Sequence, residues 1–540
     1  MECLTRRCDG EILTGSPMSA MENRYGLLKS GGCAACGEKL FTQWIRSAYN
    51  RWLYLSPWNL FAKSLIEPRT IGNPMRLVMK FGGTSVGDGP RMKHVAELVK
   101  GYKDNGNEIV LVTSALSGVT DSLLKSAKEA SETGKTSVVK EFIADLTKQH
   151  HQAAHDAINT NGIVEKVTQE IDSRIEELEK ALIGICYLGE LTVRSIDYIS
   201  SYGERLAAPI LCGSLNSIGV RSRSFTGGEA GIITTDEYGN AKPLEKTYSL
   251  VRERIEPLLS DNIPVITGFI GENEAGIITT LGRGGSDFSA SIIGAALKAD
   301  EIWLWKEVHG ILTTDPKIVP EARTIPVISY IEAMELSYFG AKVLHPRAIE
   351  PAIKHGIPVR VKNTFDPESP GTIVVKDLKP SKDIVKAVTV IKNVALINIS
   401  GAGMVGTIGV AARVFTTLAN AGVNIIMISQ GSSEANISLV VDENHLDKAV
   451  KSIKSEFKNG TIKEVTHDRN ISVVAVVGAG MANTPGVAGR VFGALGKAAV
   501  NVIMISQGSS QHNISFVVSE EGAKKAVQVL HKEFGLDREK

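Results

Sequence analysis

The sequence predicts an α/β protein: a three-layer αβα domain with a mostly parallel sheet, followed by two smaller ferredoxin-like βαββαβ units. Three observations predict it. Short apolar runs ended by glycine alternate with helical periodicities over residues 75–378. Two of these runs, ending at Lys80 and Thr280, pass straight into glycine-rich turns that open helices. Asn424-Ile-Ile-Met-Ile-Ser-Gln-Gly-Ser-Ser433 recurs, at an offset of 77, as Asn501-Val-Ile-Met-Ile-Ser-Gln-Gly-Ser-Ser510.

The chain has 540 residues, enough for about three to four domains of ~150 residues. Lys+Arg is 60 and Asp+Glu is 59, so no bulk charge favours nucleic acid. Charged residues at 22% and hydrophobics at 43% exclude a largely disordered chain. No apolar run is long enough to span a bilayer, so no membrane partner is expected. Cys3, Cys8, Cys33 and Cys36 crowd into the first 36 residues, and only Cys186 and Cys212 follow. A disulfide framework over the body is therefore excluded, and a reducing, cytoplasmic setting is expected.

Residues 1–74 differ from the rest. They hold Trp44, Trp52 and Trp58, and they lack strong periodicity. Acids such as Glu2, Asp9, Glu11 and Glu22 argue against an organellar transit peptide. Cys33-Ala-Ala-Cys36 has the spacing of half a zinc site without a second half. The expectation is a dispensable extension, with Met75 as the natural start.

From Met75 the elements follow in order. Residues 77–80 form a first strand, and Phe81-Gly-Gly-Thr-Ser-Val-Gly87 is the turn after it. Residues 91–101 read as an amphipathic helix with Val95, Leu98 and Val99 on one face. Residues 108–113 are a buried-type strand, followed by a small-residue turn from Ser114 to Gly118. A helix is expected over 164–182, β-rich runs over 264–271 and 276–280, a helix over 287–297 and a strand over 301–305.

Ligands of such sheets bind at the carboxyl ends of the strands. Gly82 and Gly83 let backbone N–H groups approach phosphate oxygens, and Lys80 at the turn's edge can neutralise a transferring phosphoryl group. A bare Gly-Gly is by itself more often a plain tight turn, and no Walker pattern is present. In Leu281-Gly-Arg-Gly-Gly-Ser-Asp287, Arg283 offers a fork for a carboxylate. Asp287 is either a helix N-cap or, with Arg283 and Ser286 beside it, a ligand-facing acid. Glu204, in Ser201-Tyr-Gly-Glu-Arg-Leu206, could bind an amino group or be a solvated helix-start charge. The stretch from Trp305 to Pro316 leaves a strand into a Gly/Pro loop, a candidate nucleotide lip.

Two patterns are set aside. His151 and His155 share a helix face without further ligands, which reads as a solvated face. Gly401-Ala-Gly-Met-Val-Gly406 matches a dinucleotide turn. Its next strand begins with Asn424 rather than an acid, and its second copy has Asn483 in place of the last glycine.

About two-thirds of positions 401–441 recur in the second copy. The first copy reads as strand 395–400, helix 410–421, strands 424–429 and 436–441, helix 445–457 and a short strand near 461–466. Such a pair can be a structural dimerisation module or a small-ligand sensor. For a sensor, Asn424, Ile425 and Gln430, with Asn501 and Gln507, are the candidate effector contacts. Asn and Gln at strand ends can hold an amino acid's polar groups.

Lys80-Phe-Gly-Gly-Thr-Ser-Val-Gly87, Ser201-Tyr-Gly-Glu-Arg-Leu206 and Thr280-Leu-Gly-Arg-Gly-Gly-Ser-Asp287 together resemble aspartokinase. Phe339-Gly-Ala-Lys-Val-Leu-His-Pro346 and Thr313-Thr-Asp-Pro316 fit it too, and the tail looks like paired ACT domains. The resemblance runs from about Met75 to the end and is nearest to archaeal, methanogen-type monofunctional enzymes. It implies an amino-acid kinase domain over 75–378 and ACT domains over 388–466 and 467–540. The implied reaction is ATP + L-aspartate → ADP + L-4-aspartyl phosphate, with Mg2+, the committed step towards lysine, threonine and methionine.

By the same resemblance, Lys80 holds the transferring phosphoryl group and Asp287 orients the donor end, fixing a lysine or Mg2+. Arg283 clamps the aspartate α-carboxylate and Glu204 takes its α-ammonium, with Ser114, Thr120 and Ser286 lining the pocket. ATP contacts fall to Lys80, Gly82, Gly83, Lys306, Glu307, Leu312, Lys317 and Lys342. Lysine or threonine is the implied effector, and a homo-oligomer, a dimer or a dimer of dimers, is expected. The chain departs from the family at Lys306-Glu307, where Thr-Asp is common, at Leu312 for Tyr, at Lys317 for Arg and at His309 for Asp or Ser. These departures are expected to concern the nucleotide lip rather than the phosphoryl-transfer centre. The alternatives are another phosphotransferase of this fold, acting on glutamate, N-acetylglutamate or a nucleotide, or an amino-acid sensor without catalysis.

Overall fold

The computed structural model describes residues 74–340, 343–376, 384–458 and 460–538. The expectations for residues 1–73, including the Cys33–Cys36 pair, and for Lys342 lie outside the described residues.

Among the described residues the first part carries ten strands: β1 (Arg76–Phe81), β2 (Glu108–Thr113), β3 (Ser222–Phe225), β4 (Ile263–Thr267), β5 (Ile270–Glu272), β6 (Ile278–Thr280), β7 (Glu301–Lys306), β8 (Val327–Ser329), β9 (Val359–Asn363) and β10 (Thr372–Val375). Eight of them form one sheet in the order β3-β4-β2-β1-β7-β9-β10-β8, while β5 and β6 make a hairpin. Every pairing in the large sheet is parallel save β9 with β10.

Helices cover both faces. In order they are α1 (Gly89–Asp104), α2 (Val119–Thr133), α3 (Thr136–Ala157), α4 (Asn161–Leu188), α5 (Val193–Ser200), α6 (Tyr202–Ser217), α7 (Lys246–Ile255), α8 (Gly285–Leu297), α9 (Tyr330–Tyr338) and α10 (Pro346–Lys354). The strand period of two divides the core. Leu77, Met79 and Phe81 pack with Val95, Ile171 and Leu211 of α1, α4 and α6. Val78, between them, packs with Val251, Ile293 and Ile349 of α7, α8 and α10. All three helices expected in this part run longer than expected, the third by two residues at its start. The first begins at Gly89 because the Asp88 carboxylate accepts the Arg91 N–H and Pro90 presets the first turn. The second runs on to Leu188, where Gly189 adopts a left-handed cap. His151 lies on α3, where Nε2 is 2.7 Å from Asp172, and His155 is exposed.

The repeat forms a second sheet. Its strands are β11 (Ala387–Ser400), β12 (Ile425–Gln430), β13 (Asn436–Asp442), β14 (Glu464–Val477), β15 (Met504–Ser506) and β16 (Asn513–Ser519), in the order β12-β13-β11-β14-β16-β15. Helices α11 (Val410–Asn420), α12 (Leu446–Glu456), α13 (Val487–Lys497) and α14 (Glu520–Glu533) complete the two ferredoxin-like units.

Two features differ from the expectation. The short strand near 461–466 is the start of β14, a continuous 14-residue strand that crosses the expected division at 466–467. The N-terminal half of β11 pairs with the C-terminal half of β14, from Ala387 with Val477 to Ile391 with Val473. That segment therefore completes the sheet half of the second copy, while Val394 to Ser400 serve the first. The register shifts beside Asn393, whose φ of 58° marks the bulge where β11 changes halves. The second difference is β15, which spans Met504–Ser506 and leaves Asn501 outside it. Gly406 has φ 65° and its counterpart Asn483 has φ 59°. Asn tolerates this left-handed position, so the Gly-x-Gly turn persists in the second copy without its third glycine.

Candidate active site

The site is built at the carboxyl ends of β1 and β7. These strands are parallel neighbours with Lys80 opposite Leu304. Val78 and Leu304 face α8, and the two-residue period carries Lys80 and Lys306 to the same side. Asp287, in the first turn of α8, meets both. Lys80 Nζ lies 2.7 Å from Asp287 Oδ1, and Lys306 Nζ lies 3.0 Å from Asp287 Oδ2. The acid is thus no N-cap. That position belongs to Gly284, at φ 74°, without a side-chain cap.

The electrostatics follow from burial. Asp287 is buried, and burial alone would raise its pKa. The two ammonium groups outweigh it and hold the carboxyl well below the usual range. Lys80 is lowered from its ordinary value by burial, with Lys306 adding to the effect and Asp287 opposing it.

Glu204 forms the second corner. It lies in the first turn of α6 and is 4% exposed. Burial raises its carboxyl to about 8, partly offset by backbone N–H groups at Glu204 and Ala115 and by Lys80. Among the described residues its Oε2 is buried without a hydrogen-bond partner. A buried, unpartnered carboxylate oxygen is costly, and an incoming ammonium would satisfy it. Gly203 permits this placement, since a Cβ there would lie 2.8 Å from the Ala115 Cβ and 3.4 Å from Thr120 Oγ1. Ser114 and Thr120, both half-buried, flank the same turn.

The glycine turn after β1 closes the third side. A Cβ on Gly82 would lie 3.5 Å from Lys80 Nζ, and one on Gly83 would lie 3.3 Å from the Ala115 carbonyl oxygen. The missing side chains leave the backbone open to a phosphate beside Lys80. Arg283 is exposed at the tip of the turn before α8, and Ser286 packs where a Cβ on Gly268 would clash at 2.6 Å.

The expected ATP contacts divide. Lys306 belongs to the Lys80–Asp287 cluster rather than to the lip alone, which corrects the expectation that its departure spares the phosphoryl-transfer centre. Glu307 and Lys317 are exposed on the loop after β7, and Leu312 bridges Thr324 across it. Asn424 precedes β12 and Gln430 ends it, Asn501 and Gln507 lie on either side of β15, and all four are exposed. The Ile425 carbonyl accepts from Tyr338 Oη at 3.4 Å. Two residues carry no local signal. Asp197 on α5 is buried and accepts from the N–H groups of Gly239 and Thr280 and from Thr280 Oγ1, pinning the turn that presents Arg283. His345 lies against Gly284, with its Nδ1 buried and without a hydrogen-bond partner among the described residues. The Phe339–Pro346 motif contains His345 but does not disclose that neighbour.

Comparison with known proteins gives the family. The amino acid kinase family model matches residues 75–363, and an ACT domain model matches residues 397–457 and 474–534. The chain is 37% identical over 466 residues to chloroplastic aspartokinase 1 of Arabidopsis thaliana, covering 85% of this chain and 80% of that one. Among solved structures it resembles E. coli aspartokinase III in complex with lysine and aspartate, with a TM-score of 0.72 and 29% identity over 85% of this chain and 99% of that one. It likewise resembles the aspartate kinase of Clostridium acetobutylicum, with a TM-score of 0.70 and 30% identity over 85% of this chain and 100% of that one. The chain belongs to the aspartokinase family and is a phosphotransferase whose acceptor is a carboxyl group.

Proposed function

We propose that the chain transfers the γ-phosphoryl group of ATP to the side-chain carboxylate of L-aspartate, giving L-4-aspartyl phosphate and ADP. The observation that carries this reading is the buried Glu204 carboxyl, whose Oε2 has no hydrogen-bond partner among the described residues and which feels the charge of Lys80 in the Lys80–Asp287 pair. It provides a cation-binding corner next to a phosphoryl-binding one, as an α-amino acid acceptor requires.

In the reaction, a carboxylate oxygen of aspartate forms a bond to the γ-phosphorus as the bridging O–P bond to ADP breaks. ADP leaves with the electron pair, and no proton need move. The work of the protein is positioning and charge compensation. Arg283 takes the α-carboxylate, Glu204 the α-ammonium, and Ser114, Thr120 and Ser286 shape the pocket. Lys80 and the Gly82–Gly83 backbone hold the phosphoryl group. Glu307, Leu312, Lys317 and Lys342 complete the nucleotide side of this reading. Mg2+, when bound, would neutralise phosphate oxygens on the nucleotide. Both Asp287 oxygens already hold lysines, so its role is to space those ammonium groups.

The catalytic role is assigned to residues 75–378 and feedback sensing to the paired ACT units, through Asn424, Ile425, Gln430, Asn501 and Gln507. The effector in this reading is lysine or threonine, acting on a homo-oligomer. The cysteine distribution supports a cytoplasmic setting. The archaeal, methanogen-type assignment rests on motifs alone, since the relatives compared above are plant and bacterial.

Aspartate-stimulated ADP release from Mg2+-ATP by the purified chain tests the activity. Its absence in folded protein, with release stimulated instead by glutamate or N-acetylglutamate, would replace the acceptor. Activity that stays flat across lysine and threonine titrations would remove the feedback assignment.

A further inference from the structure

One carboxylate at the transfer centre holds two ammonium groups. Asp287 spans Lys80 at 2.7 Å and Lys306 at 3.0 Å, and side-chain exposure is 8% for Lys80, 7% for Asp287 and 19% for Lys306. The charge count is the point of interest. Lys80 with Asp287 alone sums to zero, so a lysine paired this closely offers a phosphoryl group little net positive potential. Adding Lys306 leaves the cluster at +1, in a site with little water to screen it. Each ammonium carries three donors. Lys306 donates one to Asp287 Oδ2, and Lys80 lies against Oδ1 as an ion pair. Donors therefore remain on both lysines for oxygens of a phosphoryl group.

The backbone fixes this arrangement. Lys80 closes on the end of β1 and Lys306 on the end of its parallel neighbour β7, on the same face of the sheet. Asp287 is held by the first turn of α8, across both. The glycine turn that leaves its backbone open to a phosphate begins two residues after Lys80. A group transferred past Lys80 would thus pass between two cations whose separation is set by one buried acid.

We propose that Lys306 is a second catalytic lysine, contacting the transferring phosphoryl group in the transition state together with Lys80. This goes beyond a nucleotide-lip role, and it rests on the aspartate-kinase reading of the same site. On this assignment the interaction is stronger in the transition state than in the bound nucleotide, because negative charge builds between the attacking and leaving oxygens.

The test compares Lys306→Met, Lys306→Arg and Lys306→Thr with the unaltered chain. Two readouts are taken: steady-state kinetics, and calorimetric binding of ADP alone or of ADP with aluminium fluoride and aspartate, a mimic of the transferring group. Lys306→Met is expected to lower kcat about 10- to 100-fold. KM for ATP and for aspartate should stay within about threefold. Affinity for the aluminium fluoride complex should fall by a similar factor to kcat, while ADP affinity barely changes. Lys306→Arg should recover part of the loss, and Lys306→Thr should behave like Lys306→Met. Thermal melting checks that each variant is folded. A Lys306→Met enzyme with unchanged kcat overturns the proposal. So does a loss confined to KM for ATP, which returns Lys306 to the lip. Failure of the underlying reading appears elsewhere, as no aspartate-stimulated ADP release by the unaltered chain, and the proposal falls with it.

Discussion

Thr313 Oγ1 and His531 Nε2 lie 2.9 Å apart, both buried, and join the loop after β7 to the last helix of the repeat. The contact has company. The Thr313 carbonyl oxygen accepts from Val388 N–H at 2.9 Å, Arg323 Nε donates to the Leu536 carbonyl at 3.2 Å, and Gln528 Nε2 donates to the Ile318 carbonyl at 3.2 Å. A loop read as the nucleotide lip is therefore fastened on its far side to the ACT half. His531→Ala removes one buried partner of Thr313 Oγ1, which keeps the Arg323 N–H at 3.0 Å, at a cost of about 0.5–1.5 kcal/mol in local order. The expected outcome is a severalfold rise in KM for ATP with KM for aspartate unchanged. Equal changes in both constants would show general loosening instead.

Lys80→Ala removes the ammonium nearest the glycine turn and leaves Asp287 with Lys306 alone. The expected loss in kcat is at least about 10²-fold, with a cooperative melt retained. Asp287→Asn should also lower kcat, because a neutral amide no longer holds two ammonium groups in place. Turnover by Lys80→Ala close to that of the unaltered chain would remove Lys80 from the chemistry.

Glu204 links aspartate binding to pH. Burial raises its carboxyl from 4.5 to about 8 in the folded, ligand-free chain. Between these values the folded state binds more protons than the unfolded state, so stability falls as pH rises. The penalty is absent below ~4.5, grows up to about 8 and is constant above. Glu204→Gln should flatten that slope, and urea midpoints at pH 5 and pH 8.5 would show it. An ammonium ligand prefers the ionised carboxylate, so aspartate binding should release a proton below about pH 8. Its affinity should then rise about tenfold per unit towards that value, as calorimetry in buffers of different ionisation enthalpy would report.

The repeat supplies its own control for backbone strain. Gly422 adopts φ 65°, and its counterpart Ala499 is held at φ 53°. An alanine in the left-handed region costs about 1–2 kcal/mol, and glycine returns somewhat less through chain entropy. Ala499→Gly should raise stability by up to about 1 kcal/mol, and Gly422→Ala should lower it by a similar amount. Denaturant midpoints of the two variants would check the signs.

Local signals made much of this molecule readable. The strand ending at Lys80 and its Gly-Gly turn, the turn carrying Arg283, and Glu204 at a helix start are each contained in a few consecutive residues. Their chemistry is visible in residue type and spacing. The 77-residue repeat was visible for the same reason, because two copies of one unit carry the same periodic pattern. The roles of Lys306, Asp197 and His531 were not readable in this way. Lys306 appeared as an oddity of the lip because nothing near it in sequence names Asp287 as its partner. The Asp197 partner Thr280 lies 83 residues away, and the His531 partner Thr313 lies 218 away.

The sequence by itself therefore determined the fold class, the two glycine turns, the duplication and the family. These depend on hydrophobic period and on glycine's backbone freedom, both of which are local properties. Tertiary structure alone decided that one aspartate holds two lysines, that β11 and β14 are shared between the two copies, and that the loop after β7 is tied to α14. Each of these is a pairing between distant segments. Burial sets its strength, and burial is known only once the sheets have formed and the helices have closed over them.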